Sequence, residues 1–67
     1  FDPALTDRQR AAVRAAVAEG YYAVPREGGV DAVADAIECS TSTAAEHLRK
    51  AESRLMGEFV GLTEHSR

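Results

Sequence analysis

Residues 30–55 read VDAVADAIECSTSTAAEHLRKAESRL, and this stretch decides the fold. Val30, Val33, Ala34 and Ile37 recur at helical spacing, with Asp31, Asp35 and Glu38 on the other side. That pattern predicts a short helix over residues 30–38. Ala44, Leu48, Ala51 and Leu55 follow at spacings of 4, 3 and 4, which predicts a longer helix over about 41–55. Between them stands the very short connection Glu38-Cys39-Ser40, in which Ser40 is suited to cap the second helix. Two helices joined so tightly form a helix-turn-helix, whose second helix is the candidate DNA reader.

Small residues govern the packing of this unit. Ala34 sits at the centre of the first apolar face, where its size lets a crossing helix approach closely. Cys39 is expected to fill a core slot at the bend as a structural cysteine rather than a reactive thiol. The acidic surface of Asp31, Asp35 and Glu38 is a poor partner for phosphate and should be turned away from DNA or given to a protein partner.

Upstream, Thr6-Asp7-Arg8-Gln9 has the form of a capping box, with Thr6 as N-cap and Gln9 at the third helical position. Asp7 adds a carboxylate near the positive helix end. The helix it opens should run to about Glu19 and stop at Gly20. Val13 and Val17, widened by Ala12 and Ala16, are its expected buried stripe, with Arg8, Gln9 and Arg14 solvated. Leu5 is the expected first core residue. In Tyr21-Tyr22-Ala23-Val24-Pro25 the chain turns, and one tyrosine should plug the bundle while the other lies partly exposed. Gly28-Gly29 is a permissive link, without the Lys-Ser/Thr of a phosphate loop. Downstream, Met56, Phe59 and Val60 would continue the bundle or meet another subunit, Gly57 weakens the helix, and residues 62–67 are expected to fray.

Sixty-seven residues make at most one small domain, near the lower limit for a core that holds itself together. Ordering costs about 1.5 kcal/mol per residue, so an alanine-rich core needs close packing or surface buried by a second copy. The composition is all-helical. One cysteine permits no internal disulfide, and the two scattered histidines form no metal cluster, so neither a metal nor a cofactor is expected. With no apolar run of about 18 residues and no basic-then-apolar leader, no membrane association is expected and the location should be cytoplasmic. Phe1 has no methionine before it, which suggests a domain cut from a longer chain.

The net charge is −3, from 11 acidic and 8 basic residues. Taken whole, that argues against a highly basic nucleic-acid binder. Seven of the eight basic residues are arginine, and an acid excess with few lysines is compatible with a high-salt cytoplasm.

LTDRQR in the first helix, GYYAVPRE in the connector and ECSTSTAAEHLRKAESRL together resemble the helix-turn-helix domain of the archaeal bacterio-opsin activator family, from Leu5 to about Leu55. The family consists largely of haloarchaeal transcription regulators. The resemblance implies an all-α small helical bundle without a sheet, homeodomain-like or similar to sigma-factor region four, and more distantly like LuxR-type regulators. It also implies that residues 1–67 are a single DNA-binding domain at the C-terminal end of a longer regulator, behind a sensory module. Val33, Ala34, Ile37, Cys39, Ala44 and Leu48 match the family's packing positions, and Ser40 its cap. Where family members often carry glycine before the turn's apolar residue, this chain has Glu38, which a left-handed backbone would penalise by roughly 1–2 kcal/mol. Ala44 and Ala45 are smaller than the residues often found there, implying closer helices or a looser core.

If the second helix enters the major groove, Thr41, Ser42, Thr43, Glu46 and Arg49 are the base-contact candidates. Ser40, Lys50 and Arg54 are the phosphate-contact candidates. Two copies would place their reading helices about 34 Å apart on a symmetric site. The expected partners are double-stranded DNA, a second copy through the C-terminal extension, and transcription machinery. Each cation also has a plainer reading, balancing Glu46 and Glu52 on a wet helix face. Glu46-His47 lacks the rest of a zinc-hydrolase motif and no carboxylates pair in a recognisably buried setting, so no enzyme is expected. The competing class is a protein-interaction or dimerisation module without direct DNA contact. DNA binding requires a local positive patch on the exposed face of the second helix despite the net charge.

Overall fold

The computed structural model describes residues 3–64, with side chains through residue 62. Three helices make up the described chain: α1 (Asp7–Ala18), α2 (Val30–Ala36) and α3 (Thr41–Glu64). Each packs against the other two, giving an all-α bundle with no strand among the described residues.

α1 starts where the capping box predicts. The Gln9 backbone N–H donates to Thr6 Oγ1 at 3.1 Å, and the Thr6 N–H donates to Gln9 Oε1 at 3.1 Å. Two donors that the helix itself leaves unpaired are thereby satisfied. The helix stops through a Schellman arrangement, in which Tyr21 N–H donates to the Ala16 carbonyl at 2.9 Å and Gly20 N–H to that of Val17 at 3.2 Å. Gly20 takes the left-handed conformation this requires, with φ +79°.

The same device closes α2 and makes the tight turn. Cys39 N–H donates to the Ala34 carbonyl at 3.0 Å, and Glu38 N–H donates to that of Asp35 at 3.3 Å. The left-handed position falls on Glu38, with φ 58°. A non-glycine residue there is strained, and its carboxylate also stands at the negative end of a helix whose last turn holds no basic residue. The predicted helix over residues 30–38 is therefore shorter by two: Ile37 is the C-cap and Glu38 lies beyond it. Glu38→Gly is expected to stabilise the domain by about 0.5–1 kcal/mol, the relief of strain less the entropy glycine adds to the unfolded chain. Thermal unfolding followed by circular dichroism should show a rise of several degrees. An unchanged or lower midpoint would show that the Glu38 side chain compensates the strain.

Ser40 caps α3 as predicted, its Oγ accepting the Thr43 N–H at 3.1 Å. The helix does not end near residue 55. It continues through Gly57 and Gly61 to Glu64, because both glycines lie in open space on the solvated surface and nothing else interrupts the hydrogen-bond ladder. Fraying expected over 62–67 is thus corrected at its start, while residues 65–67 lie outside the described residues.

The core is built from Ala12 and Ala16 of α1, Val33 and Ala34 of α2, and Ala44, Leu48 and Ala51 of α3, all buried. Leu48 and Val33 are the largest of the fully buried side chains. Alanines at the facing positions seat the helices against one another with little side-chain volume between them. Val13, Tyr21, Ile37 and Cys39 seal the edges, half-buried. Cys39 is therefore a packing residue at the rim of the core rather than fully inside it. Two expectations about the core fail: Leu5 is only half-buried and stands outside the core cluster, and Val17 is 64% exposed. A face centred on Ala12 and Ala16 leaves a residue one step, about 100°, past Ala16 at its outer edge.

Candidate nucleic-acid interface

α3 is about 36 Å long at 1.5 Å per residue, and its first half carries two opposed faces. Ala44, Leu48 and Ala51 point into the bundle, whereas Ser42, Glu46, Arg49, Lys50 and Ser53 are exposed on the opposite surface. The helix-turn-helix holds that surface outward because α1 and α2 cover only the apolar side. Thr41, Ser42, Glu46 and Arg49 are all exposed, so the base-contact candidates come together on the first two and a half turns of one helix. Thr43 is half-buried at the edge, its Oγ1 accepting a hydrogen bond from Ser40 Oγ at 2.9 Å.

Charge is segregated across the molecule. Asp31, Asp35 and Glu38 are exposed on α2 and its turn. On the outward surface of α3, the exposed cations Arg49, Lys50 and Arg54 stand with the exposed carboxylate Glu46, and the half-buried Glu58 lies beside Arg54. Lys50 Nζ lies 3.4 Å from Glu46 one turn back, and Arg54 lies 3.7 Å from Glu58 one turn on. Arg49 has no ion-pair partner among the described residues. Of these three cations only Arg49 is not offset by a neighbouring carboxylate, on a chain whose net charge is −3. Such exposed pairs contribute at most about 1 kcal/mol each and exchange readily for phosphate. Both functions of the Ser40 hydroxyl are taken up in the first turn of α3, one accepting from Thr43 N–H and the other donating to Thr43 Oγ1. Ser40 thereby orients that turn's remaining N–H groups.

A support and a groove flank α3, and the sequence showed neither. On one shoulder the connector docks through Tyr22, whose hydroxyl donates to Glu52. Withdrawal of the phenol from water, and then the bond to the carboxylate, push its pKa well above the usual tyrosine value, so it remains a neutral donor. The connector is itself closed: the Gly20 carbonyl accepts from Ala23, Glu27 and Gly28 N–H groups at 3.2, 2.9 and 3.3 Å. Arg26 Nε donates to the Tyr21 carbonyl at 2.9 Å, and its guanidinium lies 4.2 Å from the Tyr21 ring centroid. Tyr21 is the half-buried plug and Tyr22 the exposed ring, in edge-to-face contact at 5.0 Å. On the other shoulder, the start of α1 and the middle of α3 flank an open groove that includes Thr6, Gln9, Arg49, Lys50 and Arg54.

Among the described residues, no helix is long and apolar enough to cross a membrane, and no three His, Cys, Asp or Glu side chains gather as a metal ion would need.

A three-helix bundle with a capped, outward-facing third helix after a Schellman turn is a helix-turn-helix domain. The family model described as "HTH DNA binding domain" matches residues 5–57, and the chain belongs to that family. It is 47% identical over 51 residues to the dimethyl sulfoxide reductase transcriptional activator of Halobacterium salinarum, covering 76% of this chain and 23% of that protein. A putative transcriptional regulator of Haloferax volcanii is 42% identical over 56 residues, 84% of this chain and 10% of the relative. The bacterioopsin transcriptional activator of Halobacterium salinarum is 36% identical over 55 residues, 82% of this chain and 8% of the relative. The chain thus spans less than a quarter of the length of each of these proteins. The resemblance to the bacterio-opsin activator family is borne out, as is the all-α fold. No solved structure gives a significant match.

Proposed function

We propose that this chain binds double-stranded DNA sequence-specifically, with α3 in the major groove, as the DNA-binding part of a longer transcription regulator. The observation that carries the reading is the exposed surface of α3, where hydroxyl and cationic side chains share one face of a helix whose opposite side is buried from Ala44 to Ala51. Thr41, Ser42, Thr43, Glu46 and Arg49 meet base edges. Lys50 and Arg54, with the first turn capped by Ser40, meet phosphates. Family membership and relatives named as transcriptional activators support the regulatory role. A location at the C-terminal end of that regulator, contact with transcription machinery, a cytoplasmic setting and the absence of catalysis belong to the same proposal. Selection of binding sites from a random duplex pool, repeated at several salt concentrations, tests it. Enrichment of a common sequence supports the reading, and none at any salt favours a protein-interaction module instead.

A second copy completes the proposal. The core stripe of α3 runs on past the bundle from Leu55 to Phe59 and Leu62, where neither α1 nor α2 covers it. Met56, Phe59 and Leu62 are 60%, 56% and 58% exposed. Pairing of two such tails buries them and presents two reading helices to a symmetric site. Sedimentation equilibrium should detect a dimer that Phe59→Glu reduces to monomer. A monomer at every concentration would remove the dimer and leave the DNA reading intact.

A further inference from the structure

The groove between the start of α1 and the middle of α3 already holds an anionic group from the chain itself. Glu58 is only 34% exposed at its side chain; its Oε2 lies 3.7 Å from Arg54 Nη1 and accepts the Ala4 backbone N–H at 3.4 Å. Arg49 and Lys50 line the same groove, with Thr6 and Gln9 across from them. The Thr6 and Gln9 side chains each accept from the other residue's backbone N–H in the capping box, so these two groups are held in place and neutral. One cation of the α3 wall, Arg54, holds a carboxylate that reaches across to the other, while Lys50 is paired with Glu46 and Arg49 has no ion-pair partner among the described residues. The groove adjoins the exposed face of Glu46, Arg49 and Ser53, where a duplex backbone would pass if that face entered a major groove.

We propose that this groove is the seat of a DNA backbone phosphate, and that Glu58 is its internal occupant, displaced when duplex DNA binds. The proposal rests on the DNA-binding reading above and adds to it a site that involves α1 as well as the reading helix. A carboxylate and a phosphodiester oxygen make the same demand on a guanidinium, a charge-assisted hydrogen bond. A 3.7 Å ion pair whose cation is more than half exposed is weak enough to exchange. Glu58 therefore lowers affinity for any duplex while leaving the choice of sequence untouched, because a phosphate carries no sequence information. It also makes the salt dependence shallower than the number of cations implies, since Arg54 has first to leave its own counter-ion.

The test is Glu58→Gln in the 67-residue chain, titrated against a mixed-sequence 30-base-pair duplex across a salt series, with Asp35→Asn on α2 as a control for net charge. Circular dichroism melts establish that each variant is folded. Glu58→Gln should bind about three- to tenfold more tightly at low salt, with a slope of log affinity against log salt steeper by roughly one. Asp35→Asn should gain less and leave the slope unchanged. Most of the Glu58→Gln gain should vanish when Arg54 is also replaced by alanine. An equal gain from Asp35→Asn, or a gain that persists in full without Arg54, would make the effect one of net charge and overturn the seat. Unchanged or weaker binding by Glu58→Gln, with the parent chain binding normally, overturns the seat but not the DNA reading. Binding by neither protein at any salt overturns both.

Discussion

Gly28→Ala is expected to remove most of the domain's stability and leave it marginally folded at room temperature. A Cβ at this position would lie 2.2 Å from the Glu19 carbonyl oxygen and 3.2 Å from its carbon, both backbone atoms. The obstruction has little room to yield. Glu19 is the C-cap of α1 and its N–H is bonded to the Ala15 carbonyl at 2.8 Å, while Gly28 N–H is bonded to the Gly20 carbonyl. Relieving the overlap would mean breaking the helix terminus or the connector closure, at a cost of about 2–4 kcal/mol. A domain of this size has roughly 3–5 kcal/mol to lose. Thermal unfolding in high salt should show no cooperative transition, or one far below that of the parent. Gly57→Ala and Gly61→Ala make the matching contrast. Their added Cβ atoms meet nothing within 4 Å, so each should stabilise α3 by about 0.5–1 kcal/mol. A Gly28→Ala midpoint within a few degrees of the parent would mean that the two helices are not linked as described.

Arg49→Ala should have the largest effect on DNA of any single change on the reading face. Its side chain is exposed, on the same surface as Ser42 and Glu46, and has no ion-pair partner among the described residues to give up on binding. Lys50 and Arg54 each have to leave a carboxylate first. A bidentate contact from arginine to a guanine edge is worth about 1–3 kcal/mol, so a loss of roughly 5- to 150-fold is expected on the preferred site. The pattern of the loss matters as much as its size. A base contact relaxes preference at one position of the site, whereas a phosphate contact weakens all sequences alike and reduces the salt slope by about one. Arg49 is also a better probe than Thr43. Thr43 is half-buried and bonded to Ser40, so Thr43→Ala would mix a change in the helix cap with a change in reading.

What the sequence shows plainly here is whatever depends on neighbours in the chain. The Thr6–Gln9 box, the Ser40 cap and the Ala44–Leu48–Ala51–Leu55 stripe are local chemistry at fixed spacing; the box and the cap stand as read, and the stripe is buried through Ala51 and half-buried at Leu55. Glu38 in the turn was also legible, because a left-handed residue is needed there and the chain offers no glycine. Less visible is whatever depends on partners distant in sequence. Gly28 reads as a flexible link until the Glu19 carbonyl is found against it. Tyr22 and Glu52 are thirty residues apart, Ala4 and Glu58 fifty-four, and no periodicity connects them. Val17 has the composition of a core residue but the angular position of a surface one. Gly57 weakens a helix, yet with its outer face in solvent the weakening is too small to end it. Of the candidate interface, the face could be read in the sequence because 3.6-residue periodicity sets it. The contacts themselves belong to a complex, and their assignment rests on measurement of binding.

The most direct such measurement is fluorescence-anisotropy titration of the chain with a selected duplex and a scrambled duplex of equal length and composition, each with and without the Arg49→Ala change. If α3 reads base edges, the parent chain prefers the selected duplex by roughly tenfold to a thousandfold, and Arg49→Ala removes much of that preference while the scrambled duplex is bound nearly as before. Equal affinity of the parent chain for both duplexes at every salt concentration would contradict the account.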